Sequence, residues 1–97
     1  MLPPEDLARI EVATSLTGPI IDEIVEPTTW TLEARLPLAV LEKHAHVIRP
    51  RAGVTWRGNF YKCADETSDP HWLTWSPVDW PAPAFHLPAQ FGTLRFE

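Results

Sequence analysis

Alternating apolar and polar residues form the main pattern of this chain, and the pattern predicts β-strands. It is clearest in residues 28–36 (TTWTLEARL). The apolar face of this segment carries Trp30, Leu32, Ala34 and Leu36. A period of two with one apolar face is typical of a strand that is buried on one side.

The same reasoning predicts further strands over residues 8–16, 55–63, 71–76 and 91–97. Residues 55–63 (TWRGNFYKC) are interpreted as one continuous strand, and residues 64–70 (ADETSDP) as a polar hairpin loop that leads to the return strand. Residues 20–25 (IIDEIV) suit a short strand or a helical turn, and a strand or a loop is favoured. In the last strand, Leu94 and Phe96 are expected on one face.

One short helix is predicted after Pro37, from Leu38 to Lys43 or His44, because proline is favoured at the start of a helix. Leu38 and Leu41 would then pack inward. The eleven prolines of the chain are more than a helical bundle of this size would tolerate.

These elements predict an all-β fold, an antiparallel β-sandwich of five to six strands with one short helix. The length of 97 residues fits one domain, residues 1–97, and not two. A sandwich of this type usually has more strands, so the predicted one is incomplete.

Charge and composition exclude several functions. The net charge of −5 and the lack of a Lys/Arg cluster argue against nucleic acid as a partner. No apolar run approaches the roughly 18–20 residues that a membrane span needs. The N-terminal residues do not resemble a signal peptide, so the cytoplasm is expected if Met1 is the true start. Cys63, the single cysteine, is expected to be a small buried residue.

Five tryptophans are unusual for this length, and four of them lie between residues 56 and 80. A flat indole face can stack on the C–H face of a sugar ring. The alternating pattern assigns Trp30, Trp56 and Trp75 to the core. Trp72 and Trp80 are the better candidates for stacking, although a place in the core is the alternative for each.

Polar residues that could bind sugar hydroxyls accompany these tryptophans. Arg57, Asn59 and Tyr61 share one face of the predicted strand, and His71 lies next to Trp72. A guanidinium, an amide and a phenol in a row could also bind the carboxylate of an acidic sugar. The alternative is an internal network that ties Arg57 to an acid such as Glu33 or Glu66.

Catalytic and metal-binding motifs are weak. No pair of acids has the setting of a glycosidase, so no enzyme activity is expected. His44 and His46 lack the spacing of a zinc site, and no cofactor is expected. The acidic loop could hold a structural calcium ion through Asp65, Glu66 and Asp69, but a solvated turn is the alternative.

Several blocks of the chain resemble the C-terminal half of family-nine carbohydrate-binding domains, within the wider DOMON-like β-sandwich group. The matching blocks are WTLEARLPL (30–38), WRGNFYKC (56–63), PHWLTWSPV (70–78) and FHLPAQFGTLRFE (85–97), with Gly18-Pro19-Ile20 upstream. Their order and spacing match together. They cover nearly all of this chain but only about half of the family domain.

The resemblance implies a two-sheet sandwich that binds sugar chains or chain ends, in a family found attached to xylanases and other glycoside hydrolases. The predicted function is therefore a non-catalytic carbohydrate-binding module, with an oligosaccharide or polysaccharide as its partner. Because half of the family domain is missing, a homodimer or a partner chain that completes the sheets is also expected. The alternative function is a structural or assembly domain that dimerises through its exposed aromatic sheet without binding sugar.

Overall fold

A computed structural model describes residues 1–97, which form two compact units, Met1–Ile48 and Arg49–Glu97. The chain has six strands and two α-helices, and every sheet is an antiparallel pair of two strands. The prediction of an antiparallel all-β fold is confirmed. That the two units act as a single domain stays a prediction.

The first unit consists of α1 (Pro4–Leu7), β1 (Glu11–Thr14), β2 (Leu32–Arg35) and α2 (Leu38–His44). β1 pairs with β2 so that Glu11 lies opposite Arg35 and Thr14 opposite Leu32. Both strands are shorter than the pattern predicts. Residues 20–25 form no strand, so the loop alternative was the right one.

Helix α2 is the predicted helix, and it begins directly after Pro37. Leu38 and Leu41 are half-buried, while Val40 is the one hydrophobic side chain of the chain that is fully buried, at 0% exposure. The first helix, α1, was not predicted. The sequence nevertheless contains two features typical of a helix N-terminus. Pro4 is the first helical residue, and the acidic residues Glu5 and Asp6 lie in the first turn. Neither helix is long and apolar enough to cross a membrane.

The second unit consists of β3 (Thr55–Gly58), β4 (Tyr61–Ala64), β5 (His71–Thr74), a 3-10 turn (Pro88–Gln90) and β6 (Gly92–Arg95). β3 pairs with β6, and β4 pairs with β5. Trp56 of β3 lies opposite Leu94 and makes an edge-to-face contact with Phe96 at 4.9 Å between ring centroids. The predicted common face of Leu94 and Phe96 is thus confirmed.

The prediction of one continuous strand over residues 55–63 was wrong. β3 ends at Gly58 and β4 begins at Tyr61. Between them, the Asn59 side-chain oxygen accepts the backbone N–H of Phe60 at 2.9 Å. A side chain that bonds to the neighbouring backbone in this way competes with regular strand pairing. The two halves pair with different partners, β3 with β6 and β4 with β5.

Two of the three tryptophans assigned to the core are exposed, which corrects that prediction. Trp30 is 43% exposed and Trp75 is 53% exposed, whereas Trp56 is half-buried. Cys63, expected to be buried, is also exposed. The physical reason is that pairs of four-residue strands enclose little volume, since a two-stranded hairpin has no second layer to pack against.

Candidate functional site

The β4–β5 hairpin has two faces that differ in character. The register places Cys63 opposite Trp72 and Tyr61 opposite Thr74. Side chains of paired residues share a face, and alternate residues along a strand return to it. Tyr61, Cys63, Trp72 and Thr74 therefore lie on one face. We call it the aromatic face of the hairpin.

A groove lies against the aromatic face, and both tryptophans predicted to stack on a ligand line it. Trp72 is 42% exposed and Trp80 is 58% exposed. Two adjoining depressions, of about 340 and 450 Å³, share the lining residues Trp72, Trp80, Pro83, Ala84 and Phe85. Small-molecule sites in proteins occupy about 300–1,000 Å³. The groove is therefore large enough for one or two sugar rings.

The loop that carries Trp80 is held in place by Gln90. The side-chain oxygen of Gln90 accepts the backbone N–H of Asp79, and its amide donates to the backbone oxygen of Asp79 at 3.0 Å. The backbone oxygen of Gln90 in turn accepts the hydroxyl of Ser76 at 3.1 Å. Because both polar backbone groups of Asp79 are bonded, the residue next to Trp80 is fixed without any regular secondary structure.

Phe85, which lines both depressions, is fixed by Tyr61. The two rings stack with centroids 4.5 Å apart and an interplanar angle of 28°. The hydroxyl of Tyr61 is buried without a hydrogen-bond partner. Tyr61 thus contacts a lining residue of the groove, and ligand binding by Tyr61 itself stays a prediction.

Arg57 performs a similar supporting role. Its guanidinium donates to the backbone oxygens of Ala89, at 3.1 Å, and Phe91, at 2.6 Å. These carbonyls belong to the turn that follows the proline-rich loop. Within the second unit, the structure shows no ion pair between Arg57 and Glu66.

Asn59 ties two segments of the second unit together. Its amide donates to the backbone oxygen of Ser76 at 3.0 Å, and its oxygen accepts the N–H of Ser76 at 2.8 Å. The same oxygen accepts the N–H of Phe60. The side chain therefore makes three bonds to backbone groups and fixes the end of the β5 segment.

His71 lies on the other side of the hairpin from Trp72, as expected for adjacent residues of a strand. Its Nδ1–H donates to the backbone oxygen of Asp69 at 2.6 Å, and Lys62 contacts its Nε2. Of the six predicted site residues, the structure brings Trp72 and Trp80 together on one groove. Tyr61 shares the hairpin face of Trp72 and stacks on Phe85. The structure places His71 on the opposite face. Whether Arg57, Asn59, Tyr61 and His71 contact ligand stays a prediction.

Sequence reasoning missed several residues of the groove. Phe85 and His86 line it, and Gln90 anchors it. These residues lie in or after the proline-rich segment, which has no periodic pattern to interpret. The sequence also gave no sign that Phe60 and Trp75 form a second exposed aromatic pair, with centroids 5.7 Å apart.

No three His, Cys, Asp or Glu side chains lie close enough together to hold a metal ion. In the acidic loop, Asp65 accepts a bond from the thiol of Cys63 at 3.4 Å. Calcium binding by Asp65, Glu66 and Asp69 therefore stays a prediction, without a preformed group of ligands in the structure.

One buried charge cluster lies in the first unit, where α1 meets α2. Asp6 is only 3% exposed, and Lys43 donates to its two oxygens at 2.9 and 3.1 Å. Nε2 of His44 lies 2.6 Å from the same carboxylate. Hydrogen bonds from His44 and then Lys43 lower the pKa of Asp6 below its ordinary value of 3.8, although burial opposes the shift. His44, noted above as a weak metal ligand, instead contacts Asp6.

We expect this cluster to make the stability of the chain depend on acid pH. Because the pKa of Asp6 is lowered on folding, its contribution is complete above pH 3.8 and is lost as pH falls through the folded pKa. Urea midpoints between pH 6 and pH 2 should therefore fall more steeply for the natural chain than for Asp6→Asn. Glu5→Gln, on the same turn, is the matched control and should keep the natural slope. Equal slopes for the natural chain and Asp6→Asn would contradict this assignment.

Comparison with known proteins places these features in a family. The family model for carbohydrate-binding family 9 matches residues 1–96. The chain shares 38% sequence identity with a candidate carbohydrate-binding protein from Bacteroides uniformis ATCC 8492, whose crystal structure is known. The two structures superpose with a TM-score of 0.76. The match covers 98% of this chain and 43% of that protein, so the chain spans less than half of its length. No curated protein matches the chain.

These likenesses confirm the sandwich-like all-β fold and the predicted family resemblance. The family match includes all of the residues that form the strands and the groove. The chain belongs to carbohydrate-binding family 9.

Proposed function

We propose that the groove lined by Trp72 and Trp80 binds a ring of an oligosaccharide or polysaccharide, and that the chain is a non-catalytic binding module. The observation that carries this proposal is the pair of half-exposed indoles on one groove. Isolated exposed hydrophobic residues are common, but two large rings held on one concavity are not.

The chemistry of the groove suits a sugar. Indole faces bury the apolar C–H side of a pyranose ring, while each indole N–H can donate to a hydroxyl. Thr74 and His86 add polar groups to the lining. The side chain of Gln90 accepts one hydrogen bond from the backbone of Asp79 and donates another to it, so the backbone beside Trp80 is fixed and less conformational freedom is lost when a ligand binds.

The predicted polar contacts have other roles in this proposal. Arg57 and Tyr61 position the loop and Phe85, and Asn59 positions the end of the β5 segment. His71 lies on the face away from Trp72 and contributes least. A module of this kind would hold an attached glycoside hydrolase near its polysaccharide by raising the effective local concentration.

Titration of the chain with xylan- and cellulose-derived oligosaccharides tests the proposal. We expect a saturable change in tryptophan fluorescence, with a matching heat of binding in calorimetry. A folded sample that responds to no member of the panel would contradict the proposal.

The second candidate function is an assembly domain that dimerises through exposed aromatic residues. It is favoured by the exposure of Phe60 and Trp75 outside the groove. Sedimentation at micromolar concentration tests it, and a clean monomer would exclude it.

A further inference from the structure

Gln90 lies outside the groove but bonds to the backbone beside one of its two tryptophans. It belongs to the 3-10 turn Pro88–Gln90 and lines neither depression. Its side-chain oxygen accepts the N–H of Asp79, and its side-chain amide donates to the backbone oxygen of Asp79 at 3.0 Å. Because Asp79 directly precedes Trp80, these two bonds fix the chain next to an exposed indole. We call them the Asp79–Gln90 clamp.

The loop that carries Trp80 lacks regular secondary structure. Residues 77–87 form no helix or strand, and three of them are prolines, which have no N–H to donate. A second fixed point is Phe85, whose ring stacks on Tyr61, but Phe85 lies further from Trp80 along the chain than Asp79 does. Of these two fixed points, the clamp is therefore the one that acts most directly on Trp80.

The turn that carries Gln90 is itself anchored within the second unit. Three successive backbone oxygens accept side-chain hydrogen bonds. The Arg57 guanidinium donates to the oxygens of Ala89, at 3.1 Å, and Phe91, at 2.6 Å. The Ser76 hydroxyl donates to the oxygen of Gln90 at 3.1 Å. An anchored Gln90 can hold the loop in one position, whereas a mobile Gln90 would only move with it.

We propose that Gln90 is a positioning residue for sugar binding, which sets the affinity of the groove by holding Trp80 in place. This role rests on the proposed function, since the sugar is the ligand whose affinity is set. Only molecules with both indoles in place bind tightly, so the apparent Kd rises as their fraction falls. A glutamine suits the task because its amide carries an acceptor and a donor, whereas a carboxylate only accepts.

The first test compares methionine at two neighbouring positions. Gln90→Met removes both bonds of the clamp, and Ala89→Met places the same side chain on an exposed residue of the same turn. Without sugar, Gln90→Met should exchange the amide hydrogen of Asp79 at least about tenfold faster than the natural chain. In calorimetry with an oligosaccharide that binds the natural chain, Gln90→Met should bind at least about fivefold more weakly. Ala89→Met should change neither quantity.

Gln90→Glu provides a readout that a general loss of stability does not give, and it serves if Gln90→Met does not fold. The ordinary pKa of glutamate is about 4.3, so the carboxylate predominates at pH 7 and the protonated form, which can also donate, predominates at pH 4. The affinity should be about fivefold below that of the natural chain at pH 7 and within about twofold of it at pH 4. Arg57, Asp79 and His86 carry the neighbouring charged or titratable groups and are present in both proteins, so the ratio of affinities isolates residue 90. The same ratio at both pH values would overturn the inference.

Two further results separate this role of Gln90 from sugar binding itself. If Gln90→Met releases the amide of Asp79 but binds sugar as tightly as the natural chain, Gln90 is not a positioning residue and the sugar site stands. Unchanged exchange at Asp79 in Gln90→Met would overturn the inference in the same way. If the natural chain binds no sugar of the panel, the proposed function and the role of Gln90 fail together.

Discussion

Replacing Trp72 and Trp80 together with alanine is expected to abolish measurable binding of oligosaccharides. Each indole supplies a large rigid face to the same groove, and aromatic residues of this kind dominate the energy of many binding sites. Loss of either one alone should weaken binding at least about tenfold, or ~1.4 kcal/mol. Calorimetric titration of the single and double variants measures the effect.

Trp75→Ala is the matched control for these variants. Trp75 has a similar exposure to Trp80 but lines neither part of the groove. Its replacement should change affinity by less than about twofold. If Trp75→Ala removed binding while the double variant retained it, the ligand would bind at Trp75 and not in the groove.

Replacing Val40 with aspartate is expected to unfold the first unit. Val40 is the only fully buried hydrophobic side chain, at 0% exposure. An unpaired carboxylate in its place would destabilise the fold by about 3–5 kcal/mol. Small domains have a total free energy of unfolding of only about 5–15 kcal/mol. Loss of the helical signal of α2 in circular dichroism measures the effect.

Two further variants make the Val40 result specific. Ala39→Asp places the same charge on an exposed position of the same helix and should leave the urea midpoint nearly unchanged. Val40→Ala removes only two methyl groups and should destabilise the chain by about 2 kcal/mol. Similar midpoints for Val40→Asp and Ala39→Asp would show that Val40 is not the centre of a core.

The strands were predictable where a pattern of period two extends over several residues. β2, β5 and β6 all lie within segments that the alternation identified. The hairpin loop and α2 could also be predicted from the sequence. Turn residues indicated the loop and Pro37 indicated the start of the helix, and both signals are local. The break at Asn59 was not predicted, because only one of the three bonds of its side chain, to Phe60, is local, and the other two join it to Ser76, 17 residues away.

The burial of the tryptophans was harder to predict than the strands. Period-two patterning shows which side chains share a face, but it does not show whether anything covers that face. Trp30 satisfies the pattern of a core residue and is nevertheless 43% exposed. The pattern therefore identifies an apolar face of a strand, but it does not show that this face is buried.

The groove was predicted in part. Trp72 and Trp80 were identified because one faces away from the assumed core and the other lies in a proline-rich loop. Their proximity depends on Gln90 and on the stacking of Tyr61 on Phe85, which are contacts between residues far apart in sequence. The polar residues of the predicted site were identified only by the kind of side chain they carry. Side chains of the same types that bind hydroxyls also bind backbone carbonyls, which is where Arg57 and Asn59 donate their bonds.

Nuclear magnetic resonance of the five indole N–H groups tests most directly whether the groove binds sugar. Each tryptophan gives one such signal, and single Trp→Phe variants assign them. On addition of a xylan- or cellulose-derived oligosaccharide that binds, the signals of Trp72 and Trp80 should shift together and saturate, while those of Trp30, Trp56 and Trp75 stay in place. Shifts confined to Trp30 or Trp75, or five unchanged signals with every sugar tested, would contradict the account.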